Sequence, residues 1–157
     1  MRSLTQAILY PGIGLLETAM SVGRGTDTPF EVIGAPYIDD VKLANRLNAL
    51  GQTGVRFVPI RFTPDYSVHK DKPCGGVNII ITDRRKLRAV PLGIDIARVL
   101  RKMYPKNFPL AKVGRLLCHP PTIESLDQGK TLSQIEALWK ADLAKFNTRR
   151  SDYLLYE

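Results

Sequence analysis

One polar stretch, Ser21 to Glu31, combines residue types that could bind a ligand; its sequence is SVGRGTDTPFE. Glycines let backbone amides come close to a bound molecule, and an arginine beside hydroxyl side chains can hold oxygen-rich groups. The same Gly, Thr, Asp and Pro residues are also what an ordinary turn requires. A phosphate loop is excluded, because there is no GK[ST] motif and no strand or helix is predicted directly beside the stretch. The residues alone leave a binding loop and a plain connection open.

The cysteines and histidines predict neither a metal site nor a catalytic pair. Neither C-x-x-C nor H-x₃-H spacing occurs among Cys74, Cys118, His69 and His119. Metal sites need such spacing, so we expect no metal and no other cofactor. Adjacent Cys118 and His119 are not expected to form a nucleophile pair, because sequence neighbours rarely face each other and two prolines follow. We expect both thiols to be free, since a domain of this size needs no disulfide.

The positive charge is unevenly distributed. The formal net charge is +8, and residues 1–80 carry 8 Lys/Arg against 7 Asp/Glu, whereas residues 81–157 carry 15 against 8. A basic half favours anionic partners such as nucleic acid, an anionic surface or a polyanionic glycan. The densest basic cluster, Arg84 to Arg88, lacks the interleaved aromatic residues of nucleic-acid motifs. Nucleic acid therefore stays an alternative of lower rank.

The composition predicts one globular domain. Hydrophobic residues make up 44% of the 157 residues and charged residues 24%, which is typical of a folded chain of this length. No apolar run approaches the roughly 20 residues that cross a bilayer. The start, MRSLTQAILYPGIG, has a short apolar run broken by Pro11 and Gly12, so it does not predict a signal peptide. We expect no membrane span and no export signal in this chain.

Three short apolar stretches predict the strands that position the polar loop. They cover residues 5–12 (TQAILYPG), 54–62 (GVRFVPIRF) and 75–84 (GGVNIIITDR). The last is predicted to be central because its isoleucines are consecutive, and Pro59 places the middle one at an edge or a bulge. The residues from 13 through Pro36 are predicted to be a loop.

Helical periodicity predicts three main helices. The first begins at the cap Asp39 and ends at Gly51, and the second runs from Pro91 to Tyr104. The third follows alternative capping boxes that start at Thr131 or Ser133. Their apolar stripes are formed, in chain order, by Val41, Ala44, Leu47 and Leu50, by Leu92, Ile96, Val99 and Met103, and by Ile135, Leu138, Trp139, Leu143 and Phe146. Residues 105–121 are predicted to be irregular, with a short apolar segment at 113–117.

These elements predict a single α+β domain over residues 1–157. It would contain a small, mainly antiparallel sheet and about three main helices. A doubly wound fold is disfavoured, because the helices do not alternate regularly with the strands.

Several longer motifs occur in an order that resembles a known family. They are LYPGIGLLE, SVGRGTDTPFEVIGAPYID, GVRFVPIRFTP, CGGVNIIITDR and the end LWKADLAKFNTRRSDYLLYE. Together they resemble the C-terminal domain of the NamZ (YbbC-like) exo-β-N-acetylmuramidases, a bacterial family formerly catalogued as a domain of unknown function. The resemblance covers nearly the whole chain.

The resemblance implies a larger protein and a glycan substrate. Family members carry a Rossmann-like N-terminal domain that is absent here, and their active site lies in the cleft between the two domains. They release N-acetylmuramic acid from the non-reducing ends of peptidoglycan fragments, in the periplasm or outside the cell. This chain would be the C-terminal half of such a protein and inactive alone, with peptidoglycan fragments and the N-terminal domain as its partners.

The resemblance also implies roles for residues in and around the loop. Arg24 would pair with the lactyl carboxylate of muramic acid in bidentate fashion. Glu17 matches a family carboxylate that would orient substrate or assist proton transfer, as at most one member of the usual carboxylate pair; a solvated or loop-bonded carboxylate is the alternative. The implied substrate-binding set is Ser21, Gly23, Arg24, Gly25, Thr26, Thr28, Glu31 and Tyr37.

The sequence departs from the family pattern at a few positions. Tyr37 stands where Trp is usual, and Asn78 and Ile80 stand where Gln and His are common; the Asn usual between the Glu and the SVGRGT block is missing. Two further hypotheses stay open beside that of an enzyme domain. One is a non-catalytic glycan-binding module, and the other is a basic nucleic-acid-binding protein.

Overall fold

A computed structural model describes residues 2–156, which form a three-stranded sheet and seven α-helices. Met1 is the first residue of the expected domain, and Glu157 is the last residue of both that domain and the last motif. These two residues lie outside the described residues. The strands are β1 (Val32–Ala35), β2 (Val55–Phe62) and β3 (Cys74–Ile81). The helices are α1 (Leu4–Ile13), α2 (Asp40–Asn48), α3 (Ala89–Met103), α4 (Leu110–Leu117), α5 (Pro120–Asp127), α6 (Leu132–Ala137) and α7 (Lys140–Ser151), and a 3₁₀ turn covers Gly14–Leu16. The predicted α+β class is confirmed, with more helices than the three expected.

The sheet is antiparallel throughout, in the order β1-β3-β2. Strand β3 is central, as predicted, and Val32 pairs with Asn78 while Val55 pairs with Ile81. Pro59 lies on the edge strand β2, where its missing N–H costs no ladder bond on the open side. The buried face of the sheet carries Ile33, Phe57, Val77 and Ile79. Ile80 points to the exposed face, so β3 is central in the sheet but is not buried on both sides.

Helix α2 protects the edge of β2. The side chain of Asn48 donates from Nδ2 to the carbonyl of Phe57 at 2.8 Å, and its Oδ1 accepts the Phe57 N–H at 3.0 Å. The amide therefore takes the place of a neighbouring strand at one edge position. Pairing an exposed edge in this way removes a template for association with other strands.

The residues predicted to mark the ends of α2 and the first turn of α3 are confirmed. The Asp39 carboxylate accepts the Lys42 N–H at 3.0 Å, and Gly51 has φ +65°, as a helix stop requires. Helix α3 contains Pro91 in its first turn. The predicted stripe of α2 was wrong at Val41, which is exposed, because Leu43 fills the core position instead.

The predicted first strand is wrong, because residues 4–13 form helix α1. Ser3 caps this helix by accepting the Gln6 N–H at 3.2 Å. Pro11 lies near the C-terminal end of α1 and has no N–H to donate to the carbonyl of Ala7. Ala7 is exposed, so this lost hydrogen bond does not lie in the core. Gly12 does not end the element. Helix α3 passes so close to α1 that a Cβ on Gly12 would collide with the backbone of Ala89, and one on Gly93 would collide with Gly12.

Three further expectations are corrected. Strand β1 lies in the segment predicted as loop, and residues 105–121 contain α4 and the start of α5. The last predicted helix is split into α6 and α7 at Leu138 and Trp139. Only Ile135 of its predicted stripe is buried, and α7 buries no residue. None of the helices in residues 2–156 is long and apolar enough to cross a membrane.

Candidate functional site

The loop from Ser21 to Glu31 (the glycine loop) is attached to the sheet at both ends. Ser21 forms an isolated bridge with Gly34 of β1, in which Ser21 N–H donates at 3.0 Å and Gly34 N–H donates back at 2.9 Å. Phe30 N–H then closes the loop on the Val22 carbonyl at 2.7 Å. The glycine loop is therefore held in one conformation by the sheet beside it.

Both glycines of the loop occupy positions that other residues would strain. Gly23 has φ +77° and Gly25 has φ +80°, values that L-residues rarely adopt. A Cβ on Gly23 would lie 2.7 Å from a methyl carbon of Val32, and one on Gly25 would lie 2.6 Å from the Asp65 carboxylate. These contacts explain both glycines by packing within the chain. Their contact with substrate stays a prediction.

The hydroxyl groups of the loop also have partners within it. Ser21 is buried, and its Oγ accepts the Gly23 N–H at 3.3 Å. Thr26 donates from Oγ1 to the Gly23 carbonyl at 2.7 Å and accepts the Thr28 N–H at 3.2 Å. These are the bonds by which Ser and Thr build turns. Direct binding of substrate by Ser21, Thr26 and Thr28 stays a prediction.

Glu17 and Arg24 form the charged centre of the site. Arg24 Nη2 donates to Glu17 Oε2 at 3.0 Å, and Arg24 Nε lies 2.6 Å from Glu17 Oε1. The Nε–H bond is not aligned with a hydrogen-bond acceptor, so the Nη2 contact is the directed one. Both side chains are partly accessible, at 39% for Arg24 and 27% for Glu17. The sequence marked both residues but did not predict that they pair with each other.

The Phe30 ring packs against the guanidinium group of Arg24, and Tyr10 packs against Phe30. The guanidinium carbon of Arg24 lies 5.1 Å from the centroid of the Phe30 ring, and this ring meets Tyr10 edge to face at 5.1 Å. A cation over an aromatic face is attracted by the ring quadrupole. Glu17 occupies the side of the guanidinium that carries Nε, and within residues 2–156 no hydrogen bond engages Nη1. The end-on fork formed by Nη1 and Nη2 is therefore able to receive a second anionic group.

Within residues 2–156, Tyr37 and Glu31 make no hydrogen bond or ion pair with Glu17 or Arg24. Tyr37 follows the other end of β1 and lines an open cavity of about 910 Å³. Its buried hydroxyl has no hydrogen-bond partner within residues 2–156, and burial, with smaller effects of Tyr104 and Cys74, raises the pKa of Tyr37 to about 12. The Glu31 carboxylate accepts a hydrogen bond from Ser3 at 3.3 Å. The structure thus brings Glu17 and Arg24 together but places Tyr37 elsewhere.

The connection between β2 and β3, residues 63–73, also belongs to this region, and the sequence did not single it out. Asp65 N–H donates to the Gly25 carbonyl at 2.9 Å. Ser67, His69 and Asp71 all have positive φ, a concentration of strain that is typical of functional loops. His69 Nε2 is buried without a partner within residues 2–156, and burial lowers the pKa of His69, helped by Lys72 and Lys112. A long hairpin connection was the available signal.

The remaining chemical candidates do not join the site. Cys74 and Cys118 are both free, and burial raises the pKa of the Cys74 thiol. In the described part of the chain no group of three or more His, Cys, Asp or Glu residues could hold a metal ion. In the basic cluster, Arg85 and Lys86 lie near Asp83, and Arg88 pairs with Glu136 at 2.7 Å.

The chain is similar to bacterial proteins over nearly its whole length. It is 34% identical to the peptidoglycan β-N-acetylmuramidase NamZ of Bacillus subtilis (strain 168), over 99% of this chain and 39% of that protein. Two crystal structures of DUF1343 family proteins from Bacteroides fragilis NCTC 9343 match with TM-scores of 0.69 and 0.66, each at 26% identity. These matches cover 96% and 99% of this chain and 42% of each structure.

The chain spans about two fifths of the length of these relatives. The family profile described as exo-β-N-acetylmuramidase NamZ, C-terminal, matches residues 8–156. That match includes the glycine loop, all three strands and every helix from α2 to α7. The chain therefore belongs to the NamZ C-terminal family.

Proposed function

We propose that this domain forms one wall of the substrate cleft of a peptidoglycan-directed exo-β-N-acetylmuramidase. A Rossmann-like N-terminal domain supplies the other wall and the main acid/base groups, and the joined enzyme releases N-acetylmuramic acid from non-reducing ends. It works in the periplasm or outside the cell, where peptidoglycan is found. Family membership supports this proposal, as does the 34% identity to a peptidoglycan β-N-acetylmuramidase.

The pairing of Glu17 with Arg24 is the observation that carries the proposal. Muramic acid differs from other amino sugars by its lactyl carboxylate, and a planar guanidinium can bind a carboxylate with two parallel hydrogen bonds. Glu17 holds one side of Arg24, and Phe30 supports its face. The end-on fork is thereby oriented before substrate arrives, which lowers the entropic cost of binding.

Glu17 acts as a positioning residue in this proposal. Its carboxylate is engaged by Arg24, whereas a general acid must be able to carry and release a proton. Glycoside hydrolysis commonly needs two carboxyl groups on opposite sides of the bond that breaks. Both are therefore assigned to the N-terminal domain.

Tyr37 adds a second contact point for the glycan. It lies past the end of a four-residue strand from the glycine loop, a rise of about 13 Å. Tyr37 lines the cavity of about 910 Å³, while its hydroxyl is buried in the wall of that cavity. The partly exposed Tyr37 ring offers the glycan an apolar surface at this point.

A glycan-binding module without hydrolytic activity is the second candidate. The engagement of Glu17 by Arg24 favours it, because the carboxylate that matches the family position is then held in an ion pair beside the binding group. A chromogenic β-N-acetylmuramide separates the two candidates. We expect no turnover by this chain alone and turnover once it is joined to an N-terminal domain. Robust turnover by the chain alone would contradict the assignment of the acid/base pair.

The substitution Arg24→Ala in the joined protein tests the recognition step. A charge-assisted, partly desolvated contact is worth about 1.5–3 kcal/mol, so kcat/KM for muramic acid substrates should fall roughly ten- to a hundredfold. Arg24→Lys should restore only part of the loss, because an ammonium group lacks the planar fork. Arg101→Ala is the matched control, since Arg101 pairs with Asp127 at 2.8 Å away from the glycine loop.

A substrate without the lactyl group completes this test. Arg24→Ala should leave its turnover nearly unchanged if Arg24 reads the carboxylate. An equal loss on both substrates, together with a lower melting temperature, would instead show that Arg24 stabilises the loop.

A further inference from the structure

The C-terminal arm, residues 140–156, is regular in backbone but has almost no tertiary contacts. Helix α7 buries no residue. Beyond it Leu155 and Tyr156 are 88% and 86% exposed. The apolar side chains that the arm leaves exposed are Leu143, Phe146, Tyr153, Leu154, Leu155 and Tyr156. Several large apolar side chains exposed along one short segment are typical of a surface that contacts another protein or domain.

A helix of this kind is not stable by itself. Isolated helices shorter than about 12–15 residues are marginal in water, and most helical stability in proteins comes from packing. Helix α7 has 12 residues, and its N-cap residue Trp139 makes no side-chain hydrogen bond that caps it. The bonds within it are local, as in the contact of Lys145 with Asp142 at 3.4 Å. The arm therefore requires a surface to pack against.

An apolar cavity adjoins the arm and continues its surface toward the core. It measures about 500 Å³ and lies between the start of α3, the end of α4, and helices α6 and α7. Its apolar wall is formed by Pro91, Ile94, Leu117, Trp139, Leu143 and Phe146. Its polar lining includes the Arg88–Glu136 ion pair at 2.7 Å and His119, which bonds to the buried Thr122 at 2.8 Å. Protein interfaces likewise combine apolar and aromatic side chains with polar groups beside them.

We propose that the arm and this cavity form the docking surface for the globular domain that precedes this one in its relatives. The partner's identity rests on the proposed two-domain arrangement. The family match continues to residue 156, so the arm belongs to the shared domain. Its Bacillus subtilis relative has about three fifths of its length outside the match. That additional chain is the largest source of surface that could cover the arm.

The charge of the arm specifies the partner's surface and disfavours a second copy. Residues 140–156 carry Lys140, Lys145, Arg149 and Arg150 against Asp142 and Asp152. Two copies pairing through their arms would bring like charges together, which is destabilising. The docked surface is therefore apolar at its centre and acidic at its rim.

The test uses the part of the Bacillus subtilis relative that precedes the matched region, both mixed with this chain and fused in front of it. Hydrogen exchange of residues 140–156 is measured with and without that part. We expect exchange in the arm to slow at least about tenfold on docking, because bound amides open less often. The fused protein covers the case in which the added part does not fold alone.

Substitutions then locate the surface. Phe146→Asp and Leu155→Asp should each weaken docking by about a hundredfold, the effect of removing an interface anchor. Leu116→Asp is the control, because Leu116 is an apolar residue on α4 whose exposure of 47% is close to the 48% of Phe146, and it should leave docking unchanged. Equal effects of the three substitutions would overturn the assignment of the surface.

The remaining outcomes separate this proposal from the proposed function. Unchanged exchange in both the mixture and the fusion overturns the docking surface. Protection of the arm that depends on the concentration of this chain alone, with dimers in sedimentation, assigns it to a second copy instead. Protection by the added part without release of muramic acid keeps the docking surface and rejects the proposed function.

Discussion

The glycine loop and the C-terminal arm show opposite relations between regular backbone and stability. The glycine loop has no helix or strand between Val22 and Glu31, yet it is anchored by bonds to β1 and to residues 63–73. The arm is mostly helical, yet its described contacts are almost all with itself. The difference teaches that tertiary partners, rather than local regularity, decide which segment is held in place.

The difference arises from the sequence separation between the residues that hydrogen-bond to each other. Ser21 bonds to Gly34, Gly25 accepts from Asp65, and the Glu31 carbonyl accepts from Ile79 at 2.7 Å. In the arm, the Leu143 N–H donates to the Trp139 carbonyl at 2.8 Å, one turn earlier. Long-range bonds are lost only when the domain unfolds, whereas one-turn bonds open by local fraying.

The largest effect is expected from substitutions of two phenylalanines that each contact an arginine. Phe30 is 4% exposed and Phe146 is 48% exposed, and their rings lie 5.1 Å and 5.9 Å from Arg24 and Arg149. Phe30→Ala should lower the free energy of unfolding by about 3–5 kcal/mol, because it leaves a cavity in the core. Phe146→Ala in this chain alone should change it by no more than about 0.5 kcal/mol.

Urea unfolding of the two variants measures this difference. A loss for Phe146→Ala as large as that for Phe30→Ala would mean that the arm packs on its own domain, and the comparison would fail. Joining the N-terminal domain should make Phe146→Ala costly as well.

A smaller effect is expected from two glycines with similar backbone angles. Gly23 has φ +77° and Gly129, between α5 and α6, has φ +71°. A Cβ on Gly129 would meet nothing within 4 Å, whereas one on Gly23 would lie 2.7 Å from Val32. Gly129→Ala should cost about 1 kcal/mol for the left-handed backbone. Gly23→Ala should cost about 1–3 kcal/mol more, because the added methyl group is overpacked.

Thermal unfolding of both alanine variants gives the comparison directly. Equal losses would show that the glycine loop yields to the added methyl group. The rigid support proposed for Arg24 would then lose its basis.

Local signals in the sequence predicted the elements whose first and last residues are marked by caps, stops or a clear apolar pattern. Helix α2 has its Asp39 cap and its Gly51 stop, and the β2 and β3 patterns are strongly apolar. Helix α1 was missed because Pro11 and Gly12 were interpreted as the end of a short strand, whereas Gly12 is explained by the close approach of Gly93. Such a contact depends on a residue far along the chain, which no local pattern reveals.

The same distinction applies to the site and to the arm. The glycine loop was found from its residue types, but the contact of Glu17 with Arg24 depends on the turn between them. The stripe of Leu143 and Phe146 was correctly recognised as apolar. These two residues are nevertheless about half exposed in the structure, because a pattern gives the apolar face of a helix but not the surface that covers it.

The smallest expected effect concerns pH and residues 63–73, which contact the glycine loop. Burial lowers the pKa of His69 below its ordinary value, and the cations Lys72 and Lys112 act in the same direction. The folded state therefore favours neutral His69 more than the unfolded state does. This contribution to stability is fully present above the ordinary histidine pKa of about 6.5 and is lost as the pH falls from there through the lowered value.

The variant His69→Asn should remove that part of the pH dependence, since Asn tolerates the left-handed backbone at this position (φ +64°) and does not titrate. Urea unfolding from pH 7 to pH 5 measures the slope for both proteins. Hydrogen-exchange protection of the glycine loop should fall with the pH in the wild type, whereas protection of the arm, which contains no histidine, should not follow it. Protection that falls equally in both segments would mean that they open together, and the contrast between an anchored loop and an unpartnered helix would be lost.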